Sequence, residues 1–559
     1  MPLAFVALVL LFLVFNRGAY RGYFPDDDLD NMGNARGLDL RYATVKLLSP
    51  ALDTSNFRPA AFFYYIAMTR TAGFDFKKYI AVLHVLHLFN AWLLWCLVRR
   101  LGLNAWQSGA GVLFFTLHMA AFDIYWKPMY VFDLMCGTFT LLTLNAYLRG
   151  WLIASILSFW LAFKCKEIVV FLPLALAAIE IQWPTAKGPS RWWRLAPFFA
   201  ISLSFGLQAM LRNPASTGNY HLQITLPAIA KSLLFYSSEW LLIPKLGMGL
   251  FLLLFVVNDP RFRLGMLLLL LLSAPMLFLP ERLFAAYIYV PLIGLSVALA
   301  SLLRGRTGLI AAVVFFIAWL PWDHATMRSK RKTALAAANE ARAWVETAVP
   351  WAKAHPAVDT YIYDGAPVGM NPWGLRGALL NLNAHTVPTI VAADGDLHEA
   401  VKSDNLAVLV WDAPHRKLDI IARSPKTPEA SYLTISPTTP IWQLGDGWMA
   451  REGAYRWSKP VASARLRRPD NAQEFDAVVN VSPAYLEAVH EANLTVLLDG
   501  QAVAQQAFNK TGWLVMRWPI PAAPAGPVNV EFRISPVFHP NAADASIEYG
   551  LPFGGFGFP

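Results

Sequence analysis

Tyr79–Val98 reads YIAVLHVLHLFNAWLLWCLV, twenty residues without a charge, followed directly by Arg99 and Arg100. At 1.5 Å per residue a helix of this length covers about 30 Å, the hydrocarbon thickness of a bilayer. Ten further apolar runs lie around it, at 3–15, 108–122, 129–148, 151–163, 167–181, 194–211, 232–257, 264–279, 283–303 and 307–322. The pattern predicts a polytopic α-helical membrane domain with about eleven transmembrane helices. The runs 151–163 and 167–181 are short, and read as two thin helices or one broken hairpin. Residues 3–15 have no charged leader and no small-residue cleavage site, so they read as a retained first span. No period of 20–50 residues repeats, which argues against a solenoid.

Composition agrees. Of 559 residues 56% are hydrophobic and 15% charged, against about 25% charged in a soluble domain. This excludes a disordered chain and a nucleic-acid-binding tail. The formal net charge is +10, but its positions point to topology and not to a polyanion. With the N-terminus in the cytoplasm, the cytoplasmic loops carry Arg99, Arg100, Arg149, Lys187, Arg191, Arg194, Arg261, Arg263, Arg304 and Arg306. The opposite loops have mixed signs. Basic residues collected on one side mark the cytoplasmic face. The three cysteines, Cys96, Cys136 and Cys165, form neither a disulfide framework nor a zinc pattern.

From about residue 325 polar residues return and no spanning run remains. Eleven spans put this tail outside, in the periplasm of a cell with two membranes. Residues 333–347 read as a helix. Thr360–Tyr363 and Ala407–Trp411 read as short strands, giving a small α/β region within 325–440. Beyond it, 475–481, 494–498, 513–518 and 528–534 read as strands, with Val528, Val530, Phe532 and Ile534 alternating with polar or small residues. The expectation is a jelly-roll-like β-sandwich over 441–559. The membrane domain is 1–324, with a large outer loop at 17–77.

Four polar clusters fall on the outer face. The first is Tyr23-Phe24-Pro25-Asp26-Asp27-Asp28. Adjacent carboxylates repel, so one of them can have a raised pKa and act as a base, or the group can hold a divalent cation such as Mg or Mn. The plainer reading is a solvated acidic loop that caps a helix. The second is Asn56-Phe57-Arg58-Pro59 ahead of an aromatic stretch, 60–72, expected as a helix in the interface. Arg58 suits a phosphate, or it snorkels. The third is Lys164-Cys165-Lys166-Glu167, costly at a bundle edge unless paired or functional. The fourth is Glu281-Arg282 before Tyr287-Ile288-Tyr289-Val290-Pro291. Lys127 is a weaker candidate. His84 and His87 share a helix face, but two histidines are more often buried polar contacts than a metal site. No GxGxxG, Walker, GxSxG or HExxH pattern occurs.

Taken together, these stretches resemble the integral-membrane GT-C glycosyltransferases, and among them the bacterial polyprenyl-phosphate-sugar enzymes related to protein O-mannosyltransferases. Tyr23–Asp28 resembles their aromatic-x-x-Asp-Asp motif. Arg58-Pro59, followed by a 78–102 segment ending in Arg99-Arg100-Leu101-Gly102, looks like their next element. Lys166-Glu167 with Leu172-Pro173 resembles the Lys-Glu and Leu-Pro motif, and Glu281-Arg282 with Tyr289-Val290-Pro291 the last one. The resemblance covers about 1–325. Three aspartates stand where the pattern has two acids, and Leu283-Phe284 follows Arg282 where an aromatic is usual.

The resemblance implies an inner-membrane glycosyltransferase moving a sugar from a polyprenyl-phosphate donor to an acceptor hydroxyl on the periplasmic face, with inversion. Asp27, Asp28 and Asp26 are then the candidate catalytic acids, with the second and third preferred. Arg58, Lys166, Glu167, Arg282 and Lys127 are candidates for the donor phosphate site. Partners would be the lipid donor, membrane lipids and an acceptor glycan, lipid or protein, with no nucleic acid. The competing expectations are a transporter or flippase of a lipid-linked sugar, which favours charges at the midplane, and a non-catalytic envelope assembly protein.

Overall fold

A computed structural model describes residues 2–51, 57–185, 190–212, 221–367, 370, 372–382, 388–392, 400–423, 428–540 and 548–559. Asn56 and Lys187 lie outside them. The chain divides into two compact units, 1–339 and 340–559.

In the first unit each of the eleven apolar runs is helical, but their lengths differ. Among the described residues, five helices are long and apolar enough to cross a membrane: Leu3–Arg21, Phe76–Arg100, Pro128–Leu148, Pro260–Leu277 and Gly305–Ala354. The expected span at 232–257 is instead two helices, Leu226–Leu241 and Leu246–Val256, bent by 96° at the break. Leu242 and Lys245 take left-handed backbone there, on either side of Pro244. Apolar composition counts residues and does not register such a break.

The helices Leu152–Cys165, Leu172–Gln182 and Pro291–Leu302 have 14, 11 and 12 residues, about 17–21 Å at 1.5 Å per residue. By length and composition, five helices among the described residues, or six with the bent pair, match a full span, and the other apolar helices are shorter. Close packing compensates for short length in one pair. A Cβ on Gly265 would stand 2.4 Å from the Ala298 nitrogen, and one on Gly294 2.4 Å from the Leu269 nitrogen. Only glycine at both positions lets these backbones touch, the small-residue contact that holds helices together in lipid.

His84 and His87 are buried in the Phe76–Arg100 helix. His84 meets the Tyr125 carbonyl and the Tyr20 hydroxyl, both at 3.1 Å. His87 meets the Tyr289 hydroxyl at 2.8 Å and the Thr116 carbonyl at 3.1 Å. They are polar pins between helices, as the sequence suggested.

The second unit begins within the Arg328–Ala354 helix. Strands β1 (Thr360–Asp364), β2 (Thr389–Ala392), β3 (Leu406–Asp412) and β4 (Lys417–Ala422) form a sheet in the order β2-β1-β3-β4. Its first two pairings are parallel and the last antiparallel. Next come β5 (Tyr432–Thr434), β6 (Trp448–Glu452), β7 (Tyr455–Ser458), β8 (Val461–Arg468), β9 (Glu474–Val481), β10 (Ala492–Leu498), β11 (Gln501–Phe508), β12 (Gly512–Pro519), β13 (Gly526–Ser535) and β14 (Pro552–Gly557).

These make two antiparallel sheets, β11-β10-β13-β8 and β12-β9-β14-β7-β6, with β5 on β14. The chain changes sheet at most connections, as a jelly roll does. Phe532 of one sheet meets Phe553 and Phe556 of the other at 4.7 and 4.9 Å between ring centres. Ile362, Val408 and Val410 of the α/β sheet belong to the same continuous apolar core as the sandwich.

Candidate active site

The acidic stretch forms the first turn of the helix Asp26–Gly37, with Pro25 at the position before it. Three carboxylates in a first turn complement the positive end of the helix dipole. The turn is anchored by Phe24, which is fully buried and meets Phe76 and Tyr79 edge to face at 5.0 and 4.9 Å. The helix packs on the Pro59–Thr71 helix and on the Pro128–Tyr130 turn.

Helical geometry separates three neighbouring aspartates. Asp26 and Asp28 are buried, at 5% and 0% exposure, while Asp27 is exposed. Asp28 Oδ1 accepts the Tyr65 hydroxyl at 2.5 Å, and its Oδ2 has no hydrogen-bond partner. Burial pushes the Asp28 carboxyl well above the usual range, against the Tyr65 bond and Lys127 and with the help of Asp27, so Asp28 favours its neutral form. Asp27 is raised too, by the protein mass behind it, and Arg282 pulls it back.

The Pro59–Thr71 helix, expected at the interface, is packed on other helices, with Ala61 and Tyr65 fully buried and Ile66 nearly so. The reason is its position: it fills the space between the acidic helix and the helices Val131–Leu148 and Leu152–Cys165. Arg58 precedes it, its side chain a quarter exposed.

The cations are brought together, each with a partner. Arg58 donates from Nε and Nη2 to the two Glu167 oxygens at 3.4 and 3.3 Å. Burial works to raise the Glu167 carboxyl, and Arg58, a backbone hydrogen bond and Lys166 together hold it low. Lys166 Nζ is 2.5 Å from Asp133 Oδ1, with both side chains under 10% exposed, and its ammonium stands 4.2 Å from the Tyr287 ring centre. Tyr287 in turn accepts from Arg282 Nε at 2.8 Å, and the Arg282 guanidinium lies over Phe284 at 5.4 Å. Lys127 pairs with Asp123 at 2.9 Å. Tyr287 thus joins Arg282 to the Lys166 pair, and the Arg282 charge reaches Asp27 in the acidic turn.

So Asp27, Arg58, Lys127, Lys166, Glu167 and Arg282 form one neighbourhood, with Asp28 below it. Sequence reasoning gave Asp133 no role, and placed Tyr65 and Tyr287 only within the aromatic stretches that follow Arg58 and Arg282. Asp133 carried a readable signal, a carboxylate inside the apolar run 129–148, since an ionisable residue there needs a partner. Tyr65 and Tyr287 carried none beyond being aromatic. Lys164 points elsewhere, to the Ala51 carbonyl at 3.1 Å, and Glu281 pairs with Lys231 at the surface.

A divalent cation fits this donor set poorly. Among the described residues no three His, Cys, Asp or Glu side chains come together as ligands, and the buried carboxyl with an open oxygen, Asp28, is the one that favours its proton. Chemically, the neighbourhood offers an exposed carboxylate of raised pKa beside a row of fixed cations. A cleft of about 300 Å³ lined by Ala178, Ile181, Gln182, Asn258, Arg263 and Leu264 is a separate feature that contains none of these residues.

No family model and no curated protein matches the sequence. Among solved structures, the chain is similar to the arabinofuranosyltransferase AftD from mycobacteria, at 12% identity and a TM-score of 0.43, over 99% of this chain and 58% of that one. It is also similar to ArnT from Cupriavidus metallidurans bound to undecaprenyl phosphate, at 12% identity and a TM-score of 0.43, over 76% of this chain and 98% of that one. The chain therefore spans less than two thirds of AftD and nearly the whole of ArnT.

Proposed function

We propose that this membrane protein is a glycosyltransferase, with 1–324 as its catalytic domain, moving a sugar from a polyprenyl-phosphate donor to an acceptor hydroxyl. The observation that carries the reading is the split of the acidic turn: an exposed Asp27 of raised pKa within the field of Arg282, next to a buried Asp28 held by Tyr65.

In the proposed step the acceptor oxygen attacks the anomeric carbon from the face opposite the phosphate, and the carbon–oxygen bond to phosphate breaks. The acceptor proton passes to the Asp27 carboxylate, and the bonding electrons leave on the polyprenyl phosphate. The anomeric centre is inverted, and because the phosphate is a good leaving group it needs no acid. The cations lower the barrier by stabilising charge that grows on that phosphate, an effect much larger in a partly dry site than in water. Asp28 holds the turn in place through Tyr65. The cationic row belongs on the periplasmic face of the inner membrane, with the N-terminus in the cytoplasm and 340–559 outside, as the loop charges suggest.

The test is transfer from a radiolabelled polyprenyl-phosphate sugar by the purified protein. Asp27→Asn keeps shape and removes the proton acceptor, so turnover should fall about 10²–10⁴-fold with donor binding nearly unchanged. Activity in EDTA should persist. Full activity in Asp27→Asn, Asp28→Asn and the double variant would return the stretch to a solvated helix cap.

A further inference from the structure

The outward face of the β12-β9-β14 sheet in 340–559 is built differently from the rest of that unit's surface. Among the described residues there, four large apolar side chains stay exposed, and two of them, Trp513 and Val515, are neighbours on one face of β12. Trp513 is 49% exposed. An isolated exposed apolar residue needs no explanation, but a grouped pair on a sheet face does.

The floor beside Trp513 consists of Gly554 and Gly555 of β14. A Cβ on Gly554 would stand 3.2 Å from the Trp513 ring, and one on Gly555 3.2 Å from the Tyr432 ring. The two glycines thus let an indole and a phenol rest on either side of a flat strip. Tyr455 supports the indole edge on at 5.7 Å. Four residues along β12 and beyond Val515 on the same face, Asp476 pairs with Arg517 across β9 and β12, the guanidinium reaching both carboxylate oxygens at 3.2–3.3 Å.

We propose that this face binds a neutral glycan chain. A sugar ring is amphipathic: its axial C–H bonds form an apolar face that stacks on an aromatic ring, and its rim of hydroxyls wants a planar donor and acceptor pair. Trp513 and Tyr432 supply the rings, the glycines the clearance, and the exposed Arg517, held by Asp476 and Glu474, the rim contact. An exposed indole on a rigid strand loses little freedom on binding, which is why aromatic anchors dominate such sites. The Asp476–Arg517 pair favours a hydroxylated ligand over the wholly apolar surface of another protein. The site belongs to 340–559 alone, so it does not depend on the transfer activity proposed for 1–324.

The experiment uses the full chain in detergent micelles and calorimetric titration with four soluble polysaccharides: a glucan, a mannan, a galactan and an arabinan. At least one should bind saturably. Trp513→Ala, and Gly554→Val which fills the floor, should each weaken binding about tenfold or more. Val461→Ser, at an exposed position on β8 of the other sheet, should leave it unchanged. Saturable binding to none of the four overturns the proposal, as does full binding by Trp513→Ala. A change of oligomeric state in Trp513→Ala, read by light scattering, would mean that a second copy of this chain covers the face instead.

Discussion

Removing either member of the Lys166–Asp133 pair should cost stability, and removing both should not. The pair is 2.5 Å apart with side chains 9% and 4% exposed. Deleting one partner strands the other as a buried charge, which costs about 3–5 kcal/mol. Replacing both by apolar groups of like volume is about neutral, or stabilising by about 1–4 kcal/mol. At about 2 °C per kcal/mol for a large domain, Lys166→Met and Asp133→Leu should each lower the unfolding midpoint by about 6–10 °C. The double variant should return close to the wild type, less about 0.5–2 kcal/mol for the lost contact with Tyr287.

The same three proteins separate structure from function. If Lys166 also contacts the donor phosphate, the double variant is stable but binds the lipid donor about tenfold more weakly or worse, since one charge-assisted hydrogen bond contributes about 1.5–3 kcal/mol. Thermal unfolding in detergent and equilibrium binding of a polyprenyl-phosphate sugar give the two readouts. A double variant as unstable as the singles refutes the buried-pair reasoning. A stable double variant with wild-type donor affinity removes Lys166 from the phosphate site.

Two further outcomes follow from the same geometry. Protonating a base stops it working, so activity should fall as pH drops through the raised pKa of Asp27. Arg282 lowers that pKa, so Arg282→Gln should move the acid limb of kcat/KM to higher pH, whereas an unmoved limb would mean that Asp27 is not the titrating group. A single cysteine placed at 305 in a cysteine-free background should react with a membrane-impermeant reagent only from the cytoplasm, and one at 500 only from outside; labelling of 305 from outside would reverse the proposed topology.

The sequence by itself determined the class of fold. Apolar runs such as Tyr79–Val98 bury themselves in any membrane-like setting, and the alternation in Val528–Ile534 commits that segment to a half-buried strand. Both are one-dimensional signals, because they depend on neighbours three, four or two residues away. The same reading singled out Asp27, Arg58, Lys166 and Arg282 because polar clusters beside apolar runs are conspicuous. It could not say that Asp27 is exposed while Asp28, one residue on, is sealed against Tyr65. It could not find Asp133 as the partner of Lys166, 33 positions away in the chain, nor see that the 232–257 run bends by 96°. Those are decided by which surfaces meet when the helices pack, and a carboxyl's pKa depends on that burial and on its spatial neighbours far more than on its place in the sequence.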